Sequence, residues 1–437
     1  MEGPRSACGS RPGHAHGVTN MARPTISADR LWARLMALGE DGALPGGGVN
    51  RQALSAEEIL AWRRVIAWGT EAGLTPSTDA AGNLFLTLDG SIPDLAPIVA
   101  GSHFDSQPTG GLFDGAFGTM AALEAVTTIV ESGLKPKRSI VVVGWMNEEG
   151  SRFAPGMMGS ELFAGLRSVK DVMAIRDAAG ISVGEALKTI HDAFPDIERR
   201  ALGFPIHAYI EPHIEQADGL ENSNAVIGVV SGIQGKKTYE MSLLGREAHA
   251  GTEPMARRQD AVQAFARIAM CMHEAVAGDD LVKFTIGRVE VEPNAPSVVP
   301  ASVTFRIDLR HPDNAVLGAF AARLEEIALS KAGACEAQIR RLVDAPSNGF
   351  DDDLQKAIRA SADRHGLPRL DVLSAAGHDA RQMAPLTRSA MIFIPCRGGV
   401  SHHPDEWAEP GHVAAGATVL LDLLLQEAGF SFNQGDA

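Results

Sequence analysis

The 437-residue chain predicts an α/β fold built on a largely parallel sheet and interrupted once by a smaller α+β unit. Three observations lead there. Short buried apolar runs alternate with helical patterns. Each of four such runs is followed at once by a polar cluster, the place where ligands bind in open α/β sheets. Between about 230 and 344 the rhythm changes to βαββαβ, the order of a ferredoxin-like split unit.

Residues 1–26 hold no apolar h-region and no helical period, so they read as a disordered extension rather than a secretory signal. Within them Met21 is a candidate start, and His14 and His16 read as tail residues. A helix is expected from Ser27, because Leu31, Leu35 and Leu38 recur at i, i+4 and i+7. A second opens at Ser55 with Glu58 three residues on, a capping box, and stops near Gly73. Residues 83–88 (NLFLTL) and 97–100 (PIVA) read as strands, 118–133 as a helix and 139–145 (SIVVVGW) as a second buried strand. Residues 208–210 (AYI) and 391–395 (MIFIP) read as two more. In the changed region we expect strands at 238–244, 281–291, 302–310 and 336–343, with helices at 261–277 and 314–332. The division that follows is a main domain of residues 27–229 and 345–437 with residues 230–344 inserted in it.

The balance of 39 basic against 54 acidic residues gives a net charge of −15, which argues against a nucleic-acid partner. No apolar run approaches the length of a membrane span. The four cysteines, Cys8, Cys271, Cys335 and Cys396, form no CxxC pair, which fits a reducing cytoplasm and offers no thiolate metal site.

The polar clusters carry the chemistry. GSHFDSQPTGGLFDGAFG follows PIVA, MNEEG follows SIVVVGW, EPHIEQ follows AYI, and CRGGVSHHPDE follows MIFIP. They supply His103, Asp105, Asp114, Glu148, Glu149, His213 and His402, the nitrogen and oxygen donors that zinc and similar divalent ions take. Each alone has an ordinary explanation: Asp105 as a turn cap, Asp114 with Gly115 as a tight turn, the two glutamates as an exposed pair. Together, at strand ends, they point to a metal site. Two ions need a bridging carboxylate, and Asp114 sits among small residues that let backbone approach. Adjacent glutamates point in different directions, so one of Glu148 and Glu149 can bind metal while the other serves as general base. Asp105, two residues past His103, can hold that histidine's second ring nitrogen.

These motifs, with GSELFAG, HAGTEPMARRQDA and GHDA between them, resemble in order the hydantoinase/carbamoylase subgroup of the M20 dinuclear metallopeptidases. The resemblance runs from about Ser27 to the end. It implies a zinc-exopeptidase-like catalytic domain with an inserted ferredoxin-like dimerisation or lid domain, and two divalent ions per subunit (Zn, Mn, Co or Ni). His103, Asp114 and His213 would hold one ion, and Asp114, Glu149 and His402 the other. Glu148 would be the general base and Asp105 the orienter of His103. His403 is implied to be a neighbour and His378 a supporting residue, not ligands. His249 would reach a neighbouring subunit's site and stabilise the oxyanion, which implies a homodimer through the inserted domain. Gln216 would bond the substrate, and Arg310 would pair with its carboxylate. Where the family often has an Asn that helps hold that carboxylate, Ser297 stands here, with Asn294 nearby at another register.

The activity implied is hydrolysis of the linear C–N bond of N-carbamoyl-L-amino acids. N-acyl amino acid conjugates, dipeptides, allantoate and ureidoglycolate stay open as substrates. A non-catalytic binding protein on the same fold is disfavoured by the retained Glu148 beside Glu149. A phosphate-binding loop is disfavoured because neither GxxxxGK[ST] nor GxGxxG occurs at the glycine-rich stretch.

Overall fold

A computed structural model describes residues 23–430. The expected extension, as far as residue 22 and including Met21, lies outside the described residues. Of residues 23–26, Arg23 pairs with Asp422 at 2.6 Å and Ile26 is buried. Ser27 then caps the helix Ala28–Gly39 by accepting from Arg30 N at 3.3 Å.

Four parallel strands form the centre of a ten-stranded sheet. In spatial order they are Arg388–Ile394, Ala208–Ile214, Ile98–His103 and Ile140–Trp145. Antiparallel strands close both flanks: Leu84–Leu88 beside Ile140–Trp145, and Ile227–Ile233 beside Arg388–Ile394. The α/β class with parallel central strands is as expected. Side chains alternate across the sheet at the strand period of two. Ile98, Ala100, Ile140 and Val142 meet the helices Ala28–Gly39, Ala56–Glu71, Ala116–Glu131 and Pro410–Glu427. Val99, Val141, Val143 and Trp145 face a second core on the opposite side.

Two of the central strands run further than their apolar text suggests. Ile98–His103 ends at residue 103, not 100, and Ala208–Ile214 ends at residue 214, not 210. Glu211, Pro212 and His213 look like strand breakers, yet all three are buried. Pro212 is tolerated because pairing with the Ile98–His103 strand stops at Ile210, so its missing N–H faces no acceptor there. Glu211 is satisfied by Ser102 Oγ and Ala380 N, both at 2.7 Å.

Residues 235–345 form a separate four-stranded antiparallel sheet in the order Lys283–Glu292, Ser302–His311, Gly235–Leu244, Glu336–Ala345. The helices Ala261–Val276 and Asn314–Lys331 cover one face, where Tyr239, Met241, Leu243, Phe305 and Ile307 build their own core. The opposite face is polar. The chain crosses between the two sheets twice, at Gln234 and at Pro346. Among the described residues no helix is long and apolar enough to cross a membrane.

The Ser55 cap forms, but its return bond lands one residue back. Ser55 Oγ accepts from Glu58 N at 3.2 Å, while Glu58 Oε2 accepts from Leu54 N at 2.5 Å. Glu58 is buried, and burial with Asp105 nearby pushes its carboxyl up to about 8. The group is therefore neutral in the fold at pH 7 and ionised in the unfolded chain, so stability falls as pH rises from about 4.5 to about 8. Glu58→Gln, which keeps the acceptor for Leu54 N, is expected to stabilise by ~1–3 kcal/mol at pH 7.5 and by little at pH 4.5. Thermal melts of both proteins across that range check this; a gain that does not grow with pH would refute it.

Candidate active site

The carboxyl ends of the four parallel strands converge on one point. His103 is the last residue of its strand, His213 lies one residue from the end of its strand, and Glu148 and Glu149 follow Ile140–Trp145 on a turn. His402 comes from the loop after Arg388–Ile394. Asp114 arrives on the glycine-rich loop just before the helix Ala116–Glu131.

Gly115 explains why that loop is glycine-rich. Its φ is +62°, and a Cβ there would sit 2.4 Å from the His103 ring. Gly118 is needed too, since a Cβ would sit 2.2 Å from Pro212 O, where the helix presses on the His213 strand. Gly115→Ala is expected to push the His103 ring out of place and to lower metal affinity at least ~10-fold with modest loss of folding stability. Metal titration beside a thermal melt checks it; an unaltered affinity would mean that the ring has room to move.

Asp114 divides its two oxygens. Oδ1 stands 3.5 Å from His103 Nε2 and 3.2 Å from His213 Nε2, and Oδ2 stands 3.1 Å from His402 Nε2. Glu149 Oε2 is 3.3 Å from the same His402 nitrogen. Two groups of metal-capable donors result, His103/Asp114/His213 and Asp114/Glu149/His402, sharing the one carboxylate. Each ring is oriented by its other nitrogen: His103 Nδ1 meets Asp105 O and His213 Nδ1 meets Ile214 O, both at 2.9 Å. That turns Nε2 of each toward Asp114, with His213 Nε2 also accepting from Gly115 N at 3.3 Å.

The structure corrects the expected part of Asp105. Its backbone carbonyl, not its carboxylate, holds the His103 ring; the carboxylate lies 3.6 Å away. Its two oxygens instead accept from Glu148 N and Glu149 N, each at 3.1 Å. Asp105 thereby clamps the turn that aims the two glutamates apart. Glu148 Oε2 is 3.7 Å from His103 Nε2 and belongs to neither of the two groups that share Asp114.

Electrostatics suit a cation. Burial raises Asp114, but hydrogen bonds from His103, His213 and His402 outweigh it and hold the carboxyl well below the usual range. Burial pushes Glu148 well above its ordinary value, with Asp379 and Glu149 adding and His103 opposing. Burial and Asp114 push Glu149 up to about 7. Three imidazoles and three carboxylates so packed, all nitrogen and oxygen donors, fit divalent metal ions that replace the shared protons.

Glu406, the last residue of SHHPDE, has a role that the sequence alone does not indicate. It accepts from Phe113 N at 2.9 Å and Asp114 N at 3.0 Å through one oxygen, and from Ser401 Oγ at 3.0 Å through the other. It fixes the backbone that carries Asp114. Gln216 and Ser401 also reach Asp114 Oδ2, at 2.9 and 3.2 Å. His378 packs against His213 with ring centroids 4.4 Å apart and bonds Ser374 Oγ; burial and His213 keep it neutral. With Glu211 and His213 it makes a third buried donor group. His403 is exposed, and its ring Nδ1 accepts from Asp405 N at 3.1 Å.

Asp114, Glu148, Glu149, His213 and His402 line a cleft of about 890 Å³, with Gln216 and Arg310 on its walls. His249, Asn294 and Ser297 are not among its lining residues. His249 pairs with Val298 and Ser297 O accepts from Ala250 N at 3.0 Å, while Asn294 sits at φ +53°. All three are exposed.

The chain is 40% identical over 408 residues to an N-carbamoyl-L-amino-acid amidohydrolase of Rhizobium meliloti, covering 92% of this chain and 97% of that one. It is 37% identical to an N-carbamoyl-L-amino acid amidohydrolase of Geobacillus stearothermophilus, covering 92% and 99%. A crystal structure of an amidase of the hydantoinase/carbamoylase family from Burkholderia multivorans superposes with a TM-score of 0.83 at 39% identity, over 92% of this chain and 98% of that one. Residues 99–426 match the family model, and the chain belongs to peptidase family M20/M25/M40.

Proposed function

We propose that the protein is a metal-dependent amidohydrolase that cleaves the linear C–N bond of N-carbamoyl-L-amino acids to the free amino acid, ammonia and carbon dioxide. The observation that carries this reading is the pair of donor groups sharing Asp114, with Glu148 beside them and Arg310 across the same cleft. The names of the relatives support the substrate class.

In this reading His103, Asp114 and His213 hold one divalent ion and Asp114, Glu149 and His402 a second, drawn from Zn, Mn, Co or Ni. When bound, the ions lower the pKa of water and polarise the scissile carbonyl. Glu148 takes a proton from the attacking water as its oxygen bonds to the carbonyl carbon. The C–N bond then breaks, and Glu148 returns that proton to the leaving nitrogen. The carbamate released decays to ammonia and carbon dioxide. Asp105 keeps Glu148 aimed through its N–H, and Arg310 binds the substrate carboxylate. The cytoplasm is the compartment this reading assigns.

We assign His249 to a neighbouring subunit's site, where its imidazole stabilises the oxyanion, in a homodimer made through the inserted unit. Its exposure outside its own chain's cleft supports this. Ser297, brought beside it by the Val298–His249 pairing, and Asn294, three residues before Ser297, would then contact the substrate. Two inactive variants, His249→Ala and a metal-ligand variant, are expected to regain activity when co-refolded, up to about a quarter of the parent value if sites are shared and mixing is random. No recovery in mixed dimers would place His249 outside catalysis.

The experiment that tests the function is amine release from a panel by metal-loaded protein: N-carbamoyl-L-amino acids, N-carbamoyl-β-alanine, allantoate, and N-acetyl and aryl-acyl amino acids. Turnover of the N-carbamoyl-L-amino acids supports the proposal. Turnover confined to acyl compounds would move the enzyme to the amide-hydrolase side and give Ser297 the weight in that choice.

A further inference from the structure

One wall of the cleft carries more positive charge than nearby carboxylates balance. Lys236 and Arg310 are paired across adjacent strands of the inserted sheet and share a single acid. Asp308 lies 3.1 Å from Lys236 Nζ and takes Arg310 Nε and Nη2 at 2.7 and 3.2 Å. The next acid along, Asp344, is likewise shared by two cations, Lys237 and Arg341. Arg381 faces the same cleft from the short helix Ala380–Met383 beneath the main sheet's loops.

Arg381 has no acidic partner among the described residues. Its Nη1 donates to Pro346 O at 2.6 Å and its Nη2 to Gln234 O at 2.7 Å. These are the carbonyls of the two crossings between the sheets. Burial and the nearby Arg310 guanidinium push Arg381 down to about 10. Arg310 reaches the opposite way, from the inserted sheet to Ala375 O at 2.9 Å. So two arginines, one from each unit, line the same cleft, and Arg381 is held only by neutral carbonyls. A half-buried cation without a counter-charge carries a desolvation cost, and a carboxylate is the ligand whose planar geometry suits a guanidinium fork.

We propose that Arg381 is a second carboxylate anchor, so that the substrate's carboxylate is held jointly by Arg310 of the inserted unit and Arg381 of the main unit. The inference rests on the ureido-acid reading and deepens it. Joint anchoring makes the bound carboxylate a bridge between the two units at their crossings. It also makes a neutral analogue a poor substrate, since it leaves that cation unpaired.

The test uses two compounds that differ only in charge, an N-carbamoyl-L-amino acid and its α-carboxamide, with the parent, Arg381→Met and Arg381→Lys proteins. Arg381→Met is expected to lower kcat/KM for the acid about 10- to 100-fold, mostly through KM, and for the carboxamide by less than about threefold. Arg381→Lys, which keeps the charge but not the fork, is expected to recover part of the acid-to-amide ratio and serves alone if the Met variant does not fold. An equal loss on both compounds would make Arg381 only a staple of the crossings and overturn the proposal. An unchanged ratio would overturn it too. A parent protein that hydrolyses neither compound would overturn the ureido-acid reading and this inference with it.

Discussion

Glu148→Gln protein, loaded with metal, is expected to lose about 10²- to 10⁴-fold in kcat while keeping the parent's metal content and melting temperature. The geometry separates this residue from its neighbour. Asp105 grips both backbone N–H groups at 3.1 Å, so the two side chains leave one turn in different directions. Glu149 ends beside His402 and Asp114, inside a donor group. Glu148 ends 3.7 Å from His103 Nε2 and lines the cleft without joining either group built on Asp114. Burial raises its proton affinity, as a group that must accept a proton and give it back requires. Glutamine keeps the shape and removes that capacity. Glu149→Gln should behave differently, losing metal as well as rate. Metal analysis beside steady-state kinetics makes the comparison. If Glu148→Gln loses metal as readily as Glu149→Gln, or keeps more than about a tenth of the parent's kcat, the base lies elsewhere.

Most of this site was legible because the chemistry is written at strand ends. The apolar runs placed the strands, and the residues after them named the donors. What stayed hidden depended on contacts between distant segments. The strand that carries His213 could not be followed past Ile210 by pattern alone, since EPH reads as polar with a proline; its burial is made possible by Ser102 and the Ala380 N–H, more than a hundred residues away on either side. Asp105 beside His103 suggested a carboxylate–histidine pair from spacing, but backbone direction gave the ring a carbonyl and gave the carboxylate the next turn. Glu406 stood inside a quoted motif, and only the fold shows that it brackets Asp114 from 292 residues away. Arg381, next to GHDA, carried no signal at all. Its meaning lies in two carbonyls at the crossings and in the absence of an acid, neither of which a sequence displays.

Asp114 carries the other large effect, because a shared ligand fails twice. Asp114→Ala is expected to leave neither donor group able to retain an ion and to cost at least about 10³-fold in kcat/KM. His402→Ala sets the contrast. His402 is half exposed and belongs to one group only, whereas His103 and His213 are buried with Asp114 in the other. It should cost one ion and leave the second. Metal content after dialysis against a weak chelator reads the difference directly. Thermal melts give an independent reading, since an ion that binds only the folded state stabilises it by about 2.7 kcal/mol at a hundredfold excess over its dissociation constant. The parent should show that rise, His402→Ala a smaller one and Asp114→Ala none. The order is the informative part. If the alanine at 114 keeps one tightly held ion, the two donor groups do not depend on a common bridge. The division of its oxygens between two histidines on one side and His402 on the other would then be a hydrogen-bonding pattern and not a shared ligand.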